Sequence, residues 1–207
     1  MRKAHFIFLL IIACSYAEKH ESDMEIMIYN SFLEYLQSKH EGEIFVLSPM
    51  SSLGVSDMDI NVFFVQDSAG NIIEHHWITE VYKSWSKFSD SLNFFDLKNN
   101  YMLVNKSPIF INKYFESISL DTLSLKNYKA IFRTGVDLKS QWISFNLKHP
   151  KTDGYLLISR PGISSDKKWS IIYYEKHHNA VGGGYFVLLR NIGYKWEVVE
   201  SILSWGT

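Results

Sequence analysis

The sequence predicts an α+β fold, in which an N-terminal helix and a second helix pack on an antiparallel sheet that ends in a C-terminal β-meander. Three observations support this class: an amphipathic stretch near the N terminus, a run of short β-rich segments after residue 142, and tight turn residues between those segments. Hydrophobic residues make up 46% of the chain and aromatic residues 15%, which suffices for an ordinary core. We expect one domain over residues 18–207, preceded by a signal peptide at 1–17.

The clearest predicted helix spans Ser22 to Lys39. Ser22 and Glu25 have the spacing of a capping box, in which each side chain satisfies the backbone N–H of the other residue. Apolar side chains then recur every three or four residues and form a stripe suited to packing on a sheet, at Ile26, Tyr29, Leu33 and Leu36. Gly42 follows as a stop signal.

The patterns in the middle of the chain are weaker. β-branched and aromatic residues predict strands there, and apolar spacings of three or four predict helices. Strands are expected at Glu43–Ser48, Asp59–Gln66 and Tyr101–Val104, helices at roughly 76–90 and at Asn112–Ser117, and a turn at 67–70.

The last third of the chain has the most regular pattern, with five short segments of strand composition. They are Trp142–Lys148, Tyr155–Arg160, Trp169–Glu175, Tyr185–Arg190 and Tyr194–Glu200. Turn residues separate them at Asp153-Gly154, Ser164-Ser165-Asp166, Gly182-Gly183-Gly184 and Asn191-Ile192-Gly193. Short strands with no helix between them predict an antiparallel meander. Residues 185–189 are apolar on both faces, which indicates an interior strand covered on each side.

The first residues have the layout of a secretory signal peptide. Met1-Arg2-Lys3 is basic, and the apolar run Phe6–Ile12 is seven residues long, well short of the roughly 20 that a membrane-spanning helix needs. We therefore expect an exported protein, located in the periplasm, at the outer membrane or outside the cell. Without Arg2 and Lys3, 19 Lys and Arg remain against 22 Asp and Glu, so no net basic charge is available for nucleic acid.

The only cysteine, Cys14, has two alternative fates. Ile11-Ile12-Ala13-Cys14 resembles the lipobox of bacterial lipoproteins, in which the cysteine receives a lipid and becomes the first mature residue. Ser15-Tyr16-Ala17 is instead a small-x-small site, at which an ordinary signal peptidase would cut and discard Cys14. We favour lipid attachment at Cys14, which makes the membrane a partner through that lipid. One cysteine excludes an internal disulfide, thiol catalysis in the mature domain and cysteine-ligated zinc.

A series of landmark residues runs through the C-terminal block, residues 142–207. They are Trp142-x-x-Phe145, His149-Pro150, Gly154, Ser159, Gly162, Gly182-Gly183-Gly184-Tyr185, Gly193-Tyr194-Lys195-Trp196 and Trp205. This order resembles a widespread group of exported bacterial proteins of uncharacterised function. His149-Pro150 stands where that group has Tyr-Pro, and Ile163-Ser164 where it has Phe-Asn. The resemblance implies export and a shared fold, and it brings no catalytic residues.

One glycine pattern and two histidine clusters are candidates for cofactor binding. The triple glycine at 182–184 does not fit a phosphate-binding loop, because a strand follows it and no Lys-Ser/Thr is present. Glu74-His75-His76 and Glu175-Lys176-His177-His178 each place a carboxylate two residues from an imidazole, so on a strand both share a face. Together they would suit zinc. Both clusters adjoin predicted turns, so we predict solvated histidines and no metal or other cofactor.

Hydrolytic chemistry has equally little support. Ser159 has candidate bases in His149, His177 and His178, but no Gly-x-Ser-x-Gly surrounds it, so we predict that it closes a strand. The carboxylates of residues 57 and 59 resemble paired glycosidase acids only in charge, and a solvated loop is expected there. No catalytic residue is therefore assigned.

A binding surface remains the best functional hypothesis. Arg160, Tyr173, His177 and His178 are predicted to line it, since aromatic side chains are common in sites for sugars or peptides. For the aromatic residues, filling of the core is the favoured alternative. We expect a non-catalytic binding or structural module whose partner is an envelope protein or a glycan. The alternative is an NTF2-like pocket domain with small-molecule binding or hydrolytic activity, because the segment from Gly193 to Val198 is similar to the ending of those cone-shaped domains.

Overall fold

The computed structural model describes residues 23–39, 45–47, 84–85, 87–88, 91–105, 137–179 and 181–206. These ranges contain three helices and six strands. The helices are α1 (residues 23–39), α2 (Phe94–Val104) and α3 (Leu138–Lys148). The strands are β1 (Phe45–Leu47), β2 (Gly154–Ile158), β3 (Gly162–Ile163), β4 (Trp169–His178), β5 (Val181–Asn191) and β6 (Trp196–Gly206).

The strands form one sheet in the order β1-β2-β4-β5-β6, and β3 also pairs with β4. β4, β5 and β6 are consecutive antiparallel neighbours, so the predicted C-terminal meander is confirmed. β1 joins the sheet at its other side and pairs with β2 in parallel, which the sequence pattern did not predict. The described residues thus have the predicted α+β class, with helices packed on a sheet that is antiparallel apart from β1.

Helix α1 covers one face of the sheet. Its side chains at Ile28, Tyr29 and Phe32 have no exposed surface and pack on alternate residues of the strands. Phe32 meets Tyr174 of β4 edge-on, with ring centroids 5.4 Å apart. Each buried side chain of this size contributes about 1.5–3 kcal/mol to the free energy of folding. The apolar stripe predicted for the N-terminal helix therefore faces the sheet as expected.

Helix α2 covers the opposite face. Leu97 and Tyr101 of α2, together with Trp85, belong to a second core cluster with residues from β4 and β5. β5 sends Val187 and Leu189 to the α1 cluster, and Phe186 and Leu188 to the α2 cluster. The prediction that residues 185–189 form an interior strand with both faces covered is confirmed.

The predicted strand at Tyr101–Val104 is wrong, because these residues are the last turn of α2. The Asn93 side chain caps this helix and accepts a hydrogen bond from the Asp96 backbone N–H at 3.1 Å. Leu97 and Tyr101, four residues apart, are its buried side chains. The N-cap and the helical spacing of the buried side chains therefore outweigh the β propensity of the last four residues.

The predicted strand at Trp142–Lys148 is also wrong, since these residues lie in α3. Asp137 is the N-cap and accepts a hydrogen bond from the Ser140 backbone N–H at 3.0 Å. Trp142 and Phe145 are three residues apart, which puts both rings on the same side of a helix. The two rings meet edge-on with centroids 5.2 Å apart.

The turn predicted at the triple glycine is wrong, because these residues are part of β5. Gly182, Gly183 and Gly184 pair with residues 177, 176 and 175 of β4. The reversal lies before them, because His178 pairs with Val181 and Asn179 has a φ of 52°. Asparagine tolerates this left-handed conformation, so the hairpin turns there without a glycine.

One glycine is needed for close packing. Gly162 of β3 lies against the backbone of Tyr101, where a Cβ atom would overlap the Tyr101 backbone. The absence of a side chain at Gly162 thus lets α2 approach the edge of the sheet.

Several predicted elements lie outside the described residues: Asp59–Gln66, the turn at 67–70, Asn112–Ser117 and most of the helix at 76–90. Trp85 of that helix is buried in a helical segment, and β1 lies within the predicted strand Glu43–Ser48. Among the described helices, none has both the length and the apolar character to cross a bilayer.

Candidate functional site

Of the four predicted surface residues, only Tyr173 and His177 lie near one another, both bonded to Glu175. Tyr173 is a core residue, with 2% of its surface exposed, so its predicted place on a surface is wrong. Tyr173 and His177 are on the α2 face of β4, whereas strand alternation puts His178 on the α1 face. Arg160 follows the end of β2 and contacts α1 and the end of α2. His177 is the one of the four that is partly exposed beside Glu175 and an aromatic ring.

Ser159 closes the end of β2, as predicted. Its backbone N–H donates to the Tyr173 carbonyl at 2.8 Å, and its Oγ accepts from the Tyr173 N–H at 2.9 Å. The Ser159 hydroxyl donates in turn to the carbonyl of Arg160 at 3.0 Å. The Ser159 side chain has no exposed surface. The hydroxyl is therefore committed to the backbone and is not presented to a substrate.

Arg160 connects three elements through its backbone and its side chain. The Asn105 side-chain amide, just after α2, accepts from the Arg160 N–H at 2.9 Å and donates to the Arg160 carbonyl at 3.1 Å. The Asn105 amide thus pairs the backbone N–H and carbonyl of Arg160, as a neighbouring strand would do. The guanidinium forms an ion pair with Glu25 in the first turn of α1, whose side chain is 2% exposed. The predicted capping partner of Glu25, Ser22, lies outside the described residues.

A hydrogen-bonded series of side chains runs along the α2 face of β4. The Tyr173 hydroxyl donates to Glu175 Oε1 at 2.9 Å, and His177 Nε2 lies 2.7 Å from Glu175 Oε2. The predicted sharing of one strand face by Glu175 and His177 is therefore confirmed. Both side chains are partly buried, with 14% and 22% of their side-chain surface exposed. The carboxylate orients the imidazole and fixes which ring nitrogen carries the proton toward it.

The imidazole of His177 also belongs to a stack of rings. Tyr155, its partner across the strands, lies parallel to it with ring centroids 4.8 Å apart and planes 14° apart. Trp142 of α3 stacks on the Tyr155 ring at 5.7 Å. Helix α3 thus supports the far side of the stack and holds the His177 ring in place.

The neighbouring strand on the other side of His177 carries no side chains at this level. The partners of His177 and Glu175 on β5 are Gly182 and Gly184. Gly182 is half-buried and Gly184 is buried. Strand glycines often mark a place where a ligand or another backbone comes close. We call the group formed by Glu175, His177, Gly182 and Gly184 the His177 site.

His178 and His149 lie apart from this site. His178 is exposed, with its Nδ1 hydrogen-bonded to the Asp153 carbonyl and its Nε2 3.0 Å from the Asn179 side chain. His149 is the C-cap of α3, and its ring is 5.0 Å from that of Phe145. Both imidazoles thus have structural contacts at turns.

The described residues do not assemble the nucleophile and base considered for Ser159. Ser159 is bonded to Tyr173, whereas His177 is opposite Tyr155, so four residues separate them along both strands. At about 3.3 Å per residue this separation is roughly 13 Å, far beyond hydrogen-bond reach. A serine–histidine pair is therefore excluded for these two residues.

Metal coordination has no support in the part of the chain that is described, which contains no group of three His, Cys, Asp or Glu side chains placed to hold an ion. Cys14, the Glu74-His75-His76 cluster and the carboxylates at 57 and 59 lie outside the described residues.

Tyr155 and Trp142, which support the His177 site, were not predicted to contribute to it. The hydrophobic run of β2 gives Tyr155 no distinguishing signal, because its position opposite His177 depends on strand register. Comparison with protein-family models, with curated proteins and with solved structures finds no match to this chain.

Proposed function

We propose that the protein is an exported, lipid-anchored component of the bacterial cell envelope, and that its α+β domain is a non-catalytic binding module. The lipid would be attached at Cys14, and the partner would be an envelope glycan or an envelope protein. The structural observation that supports binding is the His177 site, where a partly exposed carboxylate and a supported, partly exposed imidazole lie beside the half-buried Gly182.

The commitment of Ser159 to the backbone supports a role without catalysis. Its hydroxyl completes the pairing of β2 with β4 and lies roughly 13 Å from the nearest oriented imidazole on these strands. Tyr173 and Arg160 are likewise held in structural contacts.

A second candidate is a pocket domain with hydrolytic activity, and one observation favours it. The 2.7 Å contact of Glu175 with His177 is the base-and-orienter half of a catalytic arrangement. The candidates differ in one experiment: turnover of a panel of p-nitrophenyl esters and glycosides that survives Ser159→Ala but is lost in His177→Ala would favour the hydrolase. No turnover above the buffer rate is expected.

Export and anchoring are tested by expressing the full chain in a Gram-negative bacterial host and fractionating the cells. We expect wild-type protein in the membrane fraction, with an intact mass that begins at Cys14 and includes lipid. Cys14→Ser should leave the membrane fraction, and the matched control Ser15→Ala should stay in it. Uncleaved protein in the cytosol, or Cys14→Ser bound as tightly as wild type, would refute this proposal.

A further inference from the structure

We propose that the outer side of α3 docks on a membrane of anionic phospholipids. This inference rests on the proposed lipid anchor and adds the protein surface by which the anchored domain contacts the bilayer. We call this surface the α3 face. It consists of Lys139, Ile143, Leu147, Lys148 and Lys151.

The apolar part of the α3 face is a pair of side chains one helical turn apart. Trp142 and Phe145 are buried against Tyr155 of β2, whereas Ile143 and Leu147 are 52% and 77% exposed. Residues four apart on a helix are neighbours on its surface, so these two side chains form one patch. A surface helix normally has polar residues on its outer side, so the patch calls for a partner.

Lysines flank this patch at both ends of the helix. Lys139 lies one turn before Ile143, and Lys148 and Lys151 lie at and just beyond the end of α3. All three lysines are exposed, and residues 138–152 contain no Asp or Glu. Apolar side chains with adjacent lysines suit the surface of an anionic bilayer, where each lysine strengthens binding by about fivefold.

A second copy of the protein fits the α3 face less well. In a symmetric dimer this face would meet itself, so its lysines would repel those of the partner. The carboxylates that adjoin the face in sequence belong to Asp137, which is engaged in capping α3, and to Asp153. A patch of two side chains is also far smaller than the roughly 800 Å² that each partner buries in a stable protein interface. Anionic lipid is therefore the better complement.

The two sides of the sheet differ in the same sense. Helix α3 packs on Tyr155, which shares the α2 face of the sheet with its strand partner His177. On that side α2 also exposes Phe95 and Leu103, whereas α1 on the opposite side exposes one large apolar side chain, Met27. The side that carries α3 is thus the more apolar one, as a bilayer-facing side should be.

The chain before α1 is long enough for this arrangement. Cys14 precedes residue 23, the first of α1, by nine positions, and an extended chain of that length spans about 30 Å. A short tether keeps the domain at a high effective concentration beside the bilayer. A docking face that is weak on its own is therefore sufficient.

The experiment measures lipid contact by fluorescence quenching in mature protein that is returned from detergent to vesicles. Cys14 is lipidated or removed in that protein, so Ser144→Cys and Ser38→Cys each introduce one free thiol for a bimane label. Both serines are exposed and bond only to a carbonyl of the preceding turn, in α3 and in α1. The vesicles contain phosphatidylglycerol with phosphatidylethanolamine, or phosphatidylcholine alone, and a fraction of the acyl chains carries a nitroxide quencher.

We expect the label at residue 144 to be quenched at least about threefold more than that at residue 38 on anionic vesicles, and equally on neutral ones. In the protein labelled at 144, Lys139→Gln and Lys148→Gln should each lower the ratio of docked to undocked protein by about fivefold. Leu147→Ser should lower it by about tenfold. Lys195→Gln is the matched control, because Lys195 is exposed in the turn before β6, and it should change the ratio by less than about twofold.

The proposal is overturned if the two labels are quenched equally on anionic vesicles, if neutral vesicles give the same difference, or if Lys195→Gln acts as strongly as Lys148→Gln. A dimer in sedimentation that Leu147→Ser dissociates would assign the α3 face to a second copy and also overturn it. The fractionation experiment separates this failure from that of the anchor. Lipidated, membrane-bound protein without preferential quenching at residue 144 would refute the docking face and leave the anchor standing.

Discussion

The Ser159 hydroxyl takes the place of a backbone carbonyl opposite Tyr173. In a hydrogen-bonded pair of an antiparallel ladder, each residue donates its N–H to the other's carbonyl. Here the Tyr173 N–H donates to Ser159 Oγ at 2.9 Å, and the Ser159 carbonyl accepts from the Tyr29 hydroxyl at 3.1 Å. The chain can therefore leave the strand at Arg160 without leaving a buried donor unpaired. The hydrogen bond from Tyr29 to the Ser159 carbonyl also links α1 to the end of β2.

Replacing Ser159 by alanine should destabilise the fold. The buried Tyr173 N–H would lose its acceptor, which costs about 1–3 kcal/mol in the free energy of unfolding. Ser170→Ala is the matched control, because Ser170 is equally buried and its hydroxyl has no hydrogen-bond partner among the described residues. Urea unfolding of both variants checks this. Equal effects of the two substitutions would contradict the role given to Ser159.

The ion pair of Glu25 with Arg160 should be worth more than a surface pair. Arg160→Ala leaves a carboxylate that is 2% exposed without its cation, and we expect a loss of about 3 kcal/mol. Glu25→Gln combined with Arg160→Met should recover part of that loss, because no charge then remains buried. Arg190→Ala is the control, since Arg190 and Glu197 form an exposed pair 3.8 Å apart, which contributes about 0–1 kcal/mol. Chemical unfolding in which Arg160→Ala costs no more than Arg190→Ala would refute a structural role for the pair.

Gly162 should not tolerate a side chain. Alanine would overlap the backbone of Tyr101 and push α2 away from the sheet, at a cost of about 1–3 kcal/mol. Gly206→Ala is the matched control, because its new Cβ would have its nearest neighbours at 3.7–3.8 Å. Thermal unfolding compares the two variants. An unchanged midpoint for Gly162→Ala would mean that α2 does not pack against β3 as closely as described.

Acid should weaken the turn between β3 and β4. Hydrogen bonds from the Ser164 side chain and the Lys168 backbone N–H hold the pKa of Asp166 below its ordinary value of 3.8. A lowered folded-state pKa means that this stabilisation is complete above the unfolded-state pKa and is lost as pH falls through the folded-state pKa. The pKa of Asp137 is lowered in the same direction, by its hydrogen bonds with Ser140.

Unfolding midpoints measured from about pH 6 down to about pH 2 test this. The wild-type midpoint should fall most steeply below about pH 4, and Asp166→Asn combined with Asp137→Asn should fall less steeply over that interval. Parallel curves for the two proteins would show that neither carboxylate contributes as described.

The sequence predicted the parts of this fold that depend on local periodicity. The helical spacing of the stripe on α1 and the continuous apolar run of β5 are both local patterns. The packing predicted from them is therefore confirmed. The predictions for residues in α2 and α3 were wrong because short windows rich in aromatic and β-branched residues resemble strands. Their signals were the N-caps Asn93 and Asp137, followed by apolar side chains three or four residues apart.

The site was predictable only in part. Spacing along one strand brought Glu175 and His177 together, because alternation on a strand is local. The contacts of His177 with Tyr155 and Gly182 depend on the register of β4 with its two neighbours, which no local pattern fixes. Tyr173 and Arg160 were predicted at a binding surface because their structural partners, Phe186 and Glu25, are distant in the sequence and no local pattern reveals them.

The account depends most on where a ligand binds. The direct measurement is a ¹⁵N chemical-shift titration of the mature protein with a soluble fragment of the envelope glycan. The account predicts that the shifted amides concentrate at Glu175, His177 and residues 182–184, with those of α1 and Ser159 unmoved. Shifts centred on Ser159 and Arg160, or spread evenly over the sheet, would contradict it.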